Sequence, residues 1–169
     1  MGCLSDLFGG PPDPTREWPP ARGAAPEFDV ATGKLGTLAF EAPVEDARFL
    51  GRPDEARWQR GGSLQLLWAR RGLLLEFVDG RFTYAAWIIG PDVCAPEHRD
   101  LKFARPRPPG GPELTGSTTE ADLAAWLGPP DHRDPDEEET VLEWKKHGLM
   151  LEFELTPAGR LKRWNVCPA

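Results

Sequence analysis

Apolar and polar residues alternate in two stretches of the chain, and the two stretches follow the same order. Alternation with a period of two is typical of strands that bury one face. It predicts three strands in the first stretch, at residues 63–69, 73–78 and 81–89, and three in the second, at residues 140–145, 149–155 and 160–166. Short turns such as Asp79-Gly80 indicate antiparallel hairpins between neighbouring strands. Both stretches therefore predict antiparallel sheet.

A short helix is predicted ahead of each group of strands. Residues 44–50 end at Gly51, and the Ala- and Leu-rich residues 119–127 end at Gly128. Glycine at this position is typical of a helix end, and Ser117 or Thr118 is a candidate N-cap for the second helix. Brief alternating segments before the helices, at residues 38–40 and 101–103, are interpreted as further strands. Each unit is thus a strand, a short helix and three antiparallel strands.

The two stretches are copies of each other. Residues 49–54 return in similar form at 126–131, and residues 66–77 return at 142–153. The spacing between copies is nearly constant, because the glycine after the helix recurs 77 positions later and the strand tryptophan, Trp68, recurs 76 positions later as Trp144. A repeat defines architecture before any single residue is interpreted. We predict an α+β fold of two tandem units, with one antiparallel sheet and helices packed on one face.

This organisation divides the chain into three parts. Residues 34–90 form the first repeat, and residues 91–169 form the second. Residues 1–33 contain repeated prolines and glycines that interrupt regular elements. They are predicted to be a flexible or extended arm, pinned by Phe8 or Trp18, with a partner-binding tail as the functional alternative.

The copied motifs resemble those of a known module. They are Leu-Gly-x-Pro-Asp after each helix, a strand ending in Trp, and Gly-Leu-x-Leu-Glu-Phe in the next strand. The pattern, over residues 36–89 and 99–167, resembles the repeat shared by the beta-lactamase inhibitor protein and the SmpA/OmlA-type outer-membrane assembly lipoproteins, a BLIP-like repeat. The resemblance implies a helix-plus-sheet unit that binds other proteins, two of which present a concave sheet to an enzyme.

The chain departs from both groups of relatives. The inhibitors are secreted and disulfide-bonded, whereas this chain has three cysteines without a sensible pairing and no apolar leader. The lipoproteins carry one unit and a lipid anchor, and the opening Met1-Gly2-Cys3 fits neither lipidation pattern. The resemblance therefore carries over the scaffold and a protein partner, but no particular target.

Charge narrows the class of partner. The net charge is −7 and the sequence pI is about 5.0, which disfavours nucleic acid and allows a protein partner with a basic surface. No apolar run is long enough to span a membrane. Sparse cysteines without metal-site spacing fit a reducing compartment, so we expect a cytoplasmic protein.

Candidate catalytic groups are few. His98, His132 and His147 lack the spacing of a zinc site, and no glycine-rich loop is placed to hold phosphate, so no metal or cofactor is expected. Cys94 and His98 are a weak nucleophile pair in a connecting loop. Glu76 and Glu152 occupy copied strand positions, and are interpreted as solubilising residues or, alternatively, as acid–base groups.

The candidate partner-binding residues are aromatic and acidic. Aromatic side chains on an open sheet are typical interface anchors, and the region of residues 131–139 is a strongly acidic loop. The candidates are Trp58, Tyr84, Trp87, Trp164, Asp134, Asp136, Glu137 and Glu138. We predict a non-enzymatic protein-binding module of the inhibitor or immunity type, which covers a partner with its sheet face and acidic loop. The alternative is an enzyme or small-ligand-binding protein with a cleft between the repeats.

Overall fold

Two antiparallel sheets dominate the computed structural model, which describes residues 11–91 and 96–169. The smaller sheet has the order β1-β2-β3 and consists of β1 (Phe28–Asp29), β2 (Lys34–Leu35) and β3 (Leu38–Ala39). The larger sheet has eight strands: β4 (Glu55–Trp58), β5 (Ser63–Trp68), β6 (Leu73–Val78), β7 (Arg81–Ile88), β8 (His132–Pro135), β9 (Thr140–Lys146), β10 (Leu149–Leu155) and β11 (Leu161–Pro168).

The order of the large sheet reflects the repeat. It runs β4-β5-β6-β7-β11-β10-β9-β8, so each half is a four-stranded meander and the halves join where β7 pairs with β11. At this seam Trp87 lies opposite Trp164, and Ala86 lies opposite Asn165. The two copies therefore form one continuous sheet with the last strand of each copy at its centre.

The copied tryptophans and glycines are joined by hydrogen bonds. The Trp68 indole Nε1 donates to the carbonyl of Gly51 at 3.0 Å, and the Trp144 indole Nε1 donates to the carbonyl of Gly128 at 3.0 Å. Both glycines have positive φ, at 76° and 83°, a conformation that favours glycine. The repeated motif thus ties each helix end to its own sheet half.

The copied aspartates define where the outer strands begin. Asp54 donates its backbone N–H to Leu67, and Asp131 donates its own to Glu143. The Asp131 carboxylate also accepts the backbone N–H of Lys145 at 2.7 Å. Short polar side chains that bond nearby backbone groups are typical of such turns. The Gly-x-Pro-Asp segments are therefore structural.

One face of the large sheet lies over an aromatic core. The seam residues Trp87 and Trp164 are stacked with ring centroids 4.4 Å apart, and Trp164 also stacks with Phe153 at 5.8 Å. Phe28 of β1 meets both tryptophans edge to face, at 5.6 and 5.8 Å. Aromatic pairs of this geometry contribute beyond their buried area. The small sheet therefore closes the core at the junction of the two repeats.

The expected α+β class is wrong, because the chain is mostly β. Helical structure in the described residues is limited to α1 (Glu120–Leu127), a 3-10 helix at Val44–Leu50 and a 3-10 turn at Ala69–Arg71. These do not form a helical layer on a sheet face. The predicted polar loops at residues 54–62 and 131–139 contain the edge strands β4 and β8. Edge strands in contact with water lack the apolar alternation by which strands are recognised.

Two further details of the predicted units differ. The N-cap of α1 is Thr119, whose hydroxyl accepts the Asp122 N–H at 3.4 Å while the Asp122 carboxylate accepts the Thr119 N–H at 2.9 Å. The segment at residues 101–103 is not a strand, and Phe103 is 53% exposed. The reciprocal capping bonds explain why the helix begins at Glu120, one residue later than predicted.

The described part of the predicted arm is packed. Trp18, Phe28 and Val30 are buried in the main core, and the Trp18 indole donates to Glu45 at 3.2 Å. Residues 11–33 therefore supply core side chains, Phe28 from strand β1 and Trp18 and Val30 from backbone outside any strand or helix. Phe8, Met1-Gly2-Cys3 and Cys94 lie outside the described residues. No helix in the described part of the chain is both long and apolar enough to cross a membrane.

Candidate functional site

The second face of the large sheet carries a row of residues that crosses all eight strands. The backbone register places these residues side by side from one edge to the other: Glu55, Leu67, Leu74, Ala86, Asn165, Glu152, Glu143 and His132. Along each strand, the residues directly before and after a member of this row point to the core side of the sheet, and the residues two positions away share its face. We call this second surface the open face. Its first half is apolar at the centre and its second half is acidic.

A cleft of about 370 Å³ lies on the first half of the open face. Its floor is apolar and its rim is polar and charged, and Pro96 also lines it. The floor residues are Leu67, Leu74, Ala86 and Ile88; the rim residues are Glu55, Arg57, Gln65, Glu76, Tyr84 and Arg163. Leu67 and Ile88 are buried, with Leu74 and Leu101 packed against them. An apolar floor with a few convergent polar groups is typical of binding clefts.

A hydrogen-bonded network joins the cleft to the acidic half. The Tyr84 hydroxyl donates to Asn165 Oδ1 at 2.7 Å. The Asn165 amide Nδ2 in turn donates to Glu152 Oε1 at 2.7 Å and to Glu154 Oε1 at 2.6 Å. Asn165 is 4% exposed, so its amide is held in one orientation by three partners. The network fixes the Tyr84 ring at the border of the cleft.

Two cations sit beside these carboxylates. The Lys162 ammonium pairs with Glu139 and lies 3.6 Å from Glu154 Oε2, although Lys162 is only 6% exposed. The Arg163 guanidinium lies 3.8 Å from Glu154 Oε1 and also lines the cleft. Buried charges are retained in folded proteins when they are paired. The second half of the open face is therefore a linked set of ion pairs.

Burial changes the acidity of three groups on the open face. It raises the pKa of the Glu152 carboxyl, with Glu154 and Glu143 adding to the effect and the Asn165 hydrogen bond opposing it. It raises the pKa of the Tyr84 hydroxyl, which stays protonated near neutral pH. It also raises the pKa of the Cys167 thiol, with the carboxylates of Glu152 and Glu143 contributing. The phenol thus acts as a neutral donor and acceptor.

The acidic candidates lie at the far edge of the sheet. Asp134 is in β8, and Asp136 lies in the turn before β9. The Asp136 carboxylate accepts the backbone N–H groups of Glu139 and Glu138, both at 2.7 Å, and these bonds hold its pKa below the ordinary value. Glu137 and Glu138 are exposed at the turn. The predicted acidic loop is therefore a hairpin with its charges in water, except for Glu139, which pairs with Lys162.

The aromatic candidates separate into three environments. Tyr84 is on the open face, where it borders the cleft. Trp58 of β4 is half-buried and packs against the main core. Trp87 and Trp164 are buried at 2% and 0% exposure. These last two are therefore not exposed anchors, because the pairing of β7 with β11 turns both indoles toward the core.

The residues weighed for catalysis are dispersed. Glu76 lines the cleft, but Glu152 lies in the Asn165 network beyond it. His147 is in the turn between β9 and β10 with φ of 52°, and His132 is in the exposed edge strand. Within residues 11–91 and 96–169, no group of three or more His, Cys, Asp or Glu side chains is arranged to hold a metal ion.

Several residues of the open face were not among the sequence candidates. Asn165, Glu154 and Arg163 join the halves, and Leu67 and Leu74 form the cleft floor. The available signal was alternation along β11, where Asn165 lies between two core residues. Pairing of the last strands of the two repeats was also required, and the sequence pattern does not define that pairing.

Comparisons with known proteins bear on the fold. No model of a protein family matches the sequence, and no curated protein matches it. The chain is similar in structure to a DUF4309 family protein, YjgB, from Bacillus subtilis subsp. subtilis str. 168. The two chains are 12% identical with a TM-score of 0.52, and the match covers 83% of this chain and 90% of that chain. At this identity the likeness shows a shared fold alone. The BLIP-like resemblance stays a prediction.

Proposed function

We propose that this chain is a non-enzymatic protein-binding module that holds a segment of a partner protein against the open face of its sheet. The observation that carries the proposal is the cleft of about 370 Å³ between an apolar floor and a charged rim. Pro96 lines this cleft, and Leu101 packs against its buried floor residues Leu67 and Ile88. Apolar surface beside fixed polar groups favours a specific partner.

Charge favours a partner segment that is basic. The open face carries Glu143, Glu152 and Glu154 in its second half and Glu55 and Glu76 beside the cleft. Arg57 pairs with Glu55 and Arg163 with Glu154, which leaves an excess of carboxylates in a chain of net charge −7. A partner side chain with an aliphatic stem over Leu67 and Leu74 and a cationic head near Glu76 would fit both the apolar floor and the charged rim of the cleft. Lysine and arginine side chains have this division between an apolar stem and a charged head.

The mode of action in this proposal is steric, as in inhibitor or immunity proteins, and takes place in the cytoplasm. A sheet face held rigid by the Tyr84–Asn165 network loses little freedom when a partner binds. The partner's own basic site would be covered without any reaction. The acidic hairpin at the β8 edge increases the rate of encounter through long-range attraction.

A photo-crosslinking experiment tests this function. The photoreactive residue p-benzoylphenylalanine replaces Arg57 at the cleft rim in one protein and Phe49, which is 48% exposed near the 3-10 helix end, in another. We expect a discrete protein adduct from cell lysate with the label at position 57 and none at position 49. No adduct at position 57, or equal adducts at both positions, would contradict the proposal.

The same cleft supports a second candidate, a small-ligand site. Its volume falls within the range of about 300–1,000 Å³ that is common for small-molecule pockets. In that case, adding the small-molecule fraction of the cell lysate would prevent crosslinking by the label at position 57, and adding the protein fraction would not. Mass spectrometry of native protein purified from its source would then find a bound small molecule in place of a protein adduct.

A further inference from the structure

The proposed function gives no role to a second groove, which lies beside the β5–β6 turn and the end of β7. It has a volume of about 470 Å³ and lies between two extended segments, residues 23–27 and residues 103–107, with Trp87 at its base. Within the described residues, no backbone hydrogen bond joins the two segments. The space between the two walls is therefore not filled by pairing of the walls themselves.

The walls of this groove are anchored to the large sheet. On one side, Lys102 donates its N–H to Ala69 at 2.8 Å and Ala104 donates its N–H to Ile88 at 2.7 Å. Gly72, with φ of 57°, allows the closest approach, since a Cβ there would lie 2.5 Å from the Lys102 carbonyl. The backbone at residues 102–104 is thus fixed against the β5–β6 turn. A preformed groove loses little entropy when a ligand enters it.

The groove is strongly basic in an acidic chain. Four arginines line it, against a single carboxylate from Glu27: Arg70, Arg71, Arg105 and Arg107. The Arg71 guanidinium donates to the carbonyls of Arg22, Leu50 and Gly23 at 2.7, 2.9 and 3.2 Å, which fixes its position. Arg105 and Arg107 are exposed and form no ion pair with any carboxylate of the described residues. Arg70 pairs with Asp100 at 3.9 Å, so the uncompensated positive charge of the groove comes from Arg105 and Arg107.

The groove also exposes apolar surface. Phe103 is 53% exposed on one wall, and Pro26 and Pro106 contribute from the two sides. Guanidinium groups bind carboxylates through paired hydrogen bonds, and an exposed aromatic ring favours an apolar side chain. A nucleic acid is disfavoured because the net charge of −7 repels a long phosphate backbone. A short acidic segment with an apolar residue matches both features.

We propose that this groove is a second interaction surface, which binds an acidic protein segment carrying an aromatic or aliphatic side chain between carboxylates. Arg105 and Arg107 on one wall bind the carboxylates, Arg70 and Arg71 at the end of the groove add positive charge, and Phe103 packs against the apolar side chain. This surface shares no residue with the cleft of the open face, so one molecule can hold a basic segment and an acidic segment at once.

Fluorescence polarisation tests the proposal with a labelled peptide of sequence Glu-Asp-Phe-Glu-Asp and its Gln/Asn counterpart. We expect the acidic peptide to bind the wild-type protein at least tenfold more tightly than its neutral counterpart, and more weakly as salt rises. The double variant Arg105→Gln/Arg107→Gln should bind the acidic peptide at least tenfold more weakly. The matched control is Arg16→Gln/Arg60→Gln, which removes two exposed arginines elsewhere and should leave affinity within twofold.

Three outcomes would overturn the proposal. The first is no binding of the acidic peptide, and the second is equal weakening by both double variants. The third is that tripolyphosphate or a labelled DNA oligonucleotide binds through Arg105 and Arg107 while the peptide does not. The variant Phe103→Ser tests how much the apolar contact contributes to affinity. We expect it to bind the phenylalanine-containing peptide several-fold more weakly, and to bind a peptide with glycine in place of phenylalanine as tightly as the wild-type protein does. Circular dichroism confirms that each variant is folded.

Discussion

The two halves of the large sheet are alike on the core face and different on the open face. On the core face, Trp68 and Trp144 make the same 3.0 Å hydrogen bond to Gly51 and Gly128. On the open face, the first half has an apolar cleft, whereas the second has the Glu152 network with its paired cations. The copied positions therefore build the scaffold, and the positions that differ give each half its own surface.

The two halves of the open face also differ at the seam, where the hydrogen-bonded network uses residues from both repeats. The row that crosses the sheet changes from apolar to polar between Ala86 and Asn165, which pair directly across β7 and β11. Asn165 belongs to the second repeat but bonds Tyr84 of the first. The copied residues thus form the sheet itself, and the residues that differ between the copies make the two halves of the open face chemically different.

We expect the largest loss of stability from a substitution at Phe28, which lies outside both repeats and packs against the two of them. Phe28→Ala removes a buried ring that contacts Trp87 and Trp164 at the seam. We expect a loss of about 4 kcal/mol in the free energy of unfolding, measured by urea denaturation. Phe103→Ala, at an exposed ring, should change it by less than about 0.5 kcal/mol. Equal losses would mean that residues 11–33 are not part of the core.

The next effect tests the likeness of the two core faces. Trp68→Phe and Trp144→Phe each remove an indole hydrogen bond as well as ring volume, and we expect similar losses of about 3 kcal/mol. Trp164→Phe is the matched control, because that buried indole N–H has no hydrogen-bond partner among the described residues, and it should cost about 1.5 kcal/mol. Losses at Trp68 and Trp144 that differ by more than about 1 kcal/mol would break the comparison.

The smallest effect tests the difference between the open faces. Folding raises the pKa of the Glu152 carboxyl, so the folded protein binds this proton more tightly than the unfolded chain does. The free energy of unfolding therefore falls as the pH rises from the unfolded-state pKa of Glu152 through its raised folded-state pKa. Glu152→Gln should therefore gain stability at pH 7, by less than about 1 kcal/mol after solvent screening, and lose the gain below about pH 4.

Glu76→Gln is the control at the copied position of the first half. Glu76 lies between Gln65 and Tyr84 on the neighbouring strands, so no carboxylate faces it directly across a strand. We expect Glu76→Gln to gain less stability at pH 7 than Glu152→Gln, measured by thermal unfolding of the two variants. A larger effect at Glu76 than at Glu152 would contradict the assignment of the charged network to the second half.

The sequence was sufficient for the repeat and for six central strands, because each of these strands alternates apolar and polar residues with one face buried. It was insufficient for β4 and β8, since edge strands such as the exposed His132–Pro135 carry no buried face. The buried positions of Trp87 and Trp164 depend on which strands pair at the seam. Long-range pairing of this kind is not encoded in local periodicity, and the cleft residues follow from it.

The central claim is that the first half of the open face, and not the second, holds the partner. Leu74 and Met150 occupy copied positions on the open face, and both are half-buried. The yield of the position-57 crosslink should be measured in Leu74→Glu and in Met150→Glu. We predict at least a tenfold loss for Leu74→Glu, because a carboxylate then enters the cleft floor, and a yield within twofold of the parent for Met150→Glu. Equal yields in the two variants would contradict the claim.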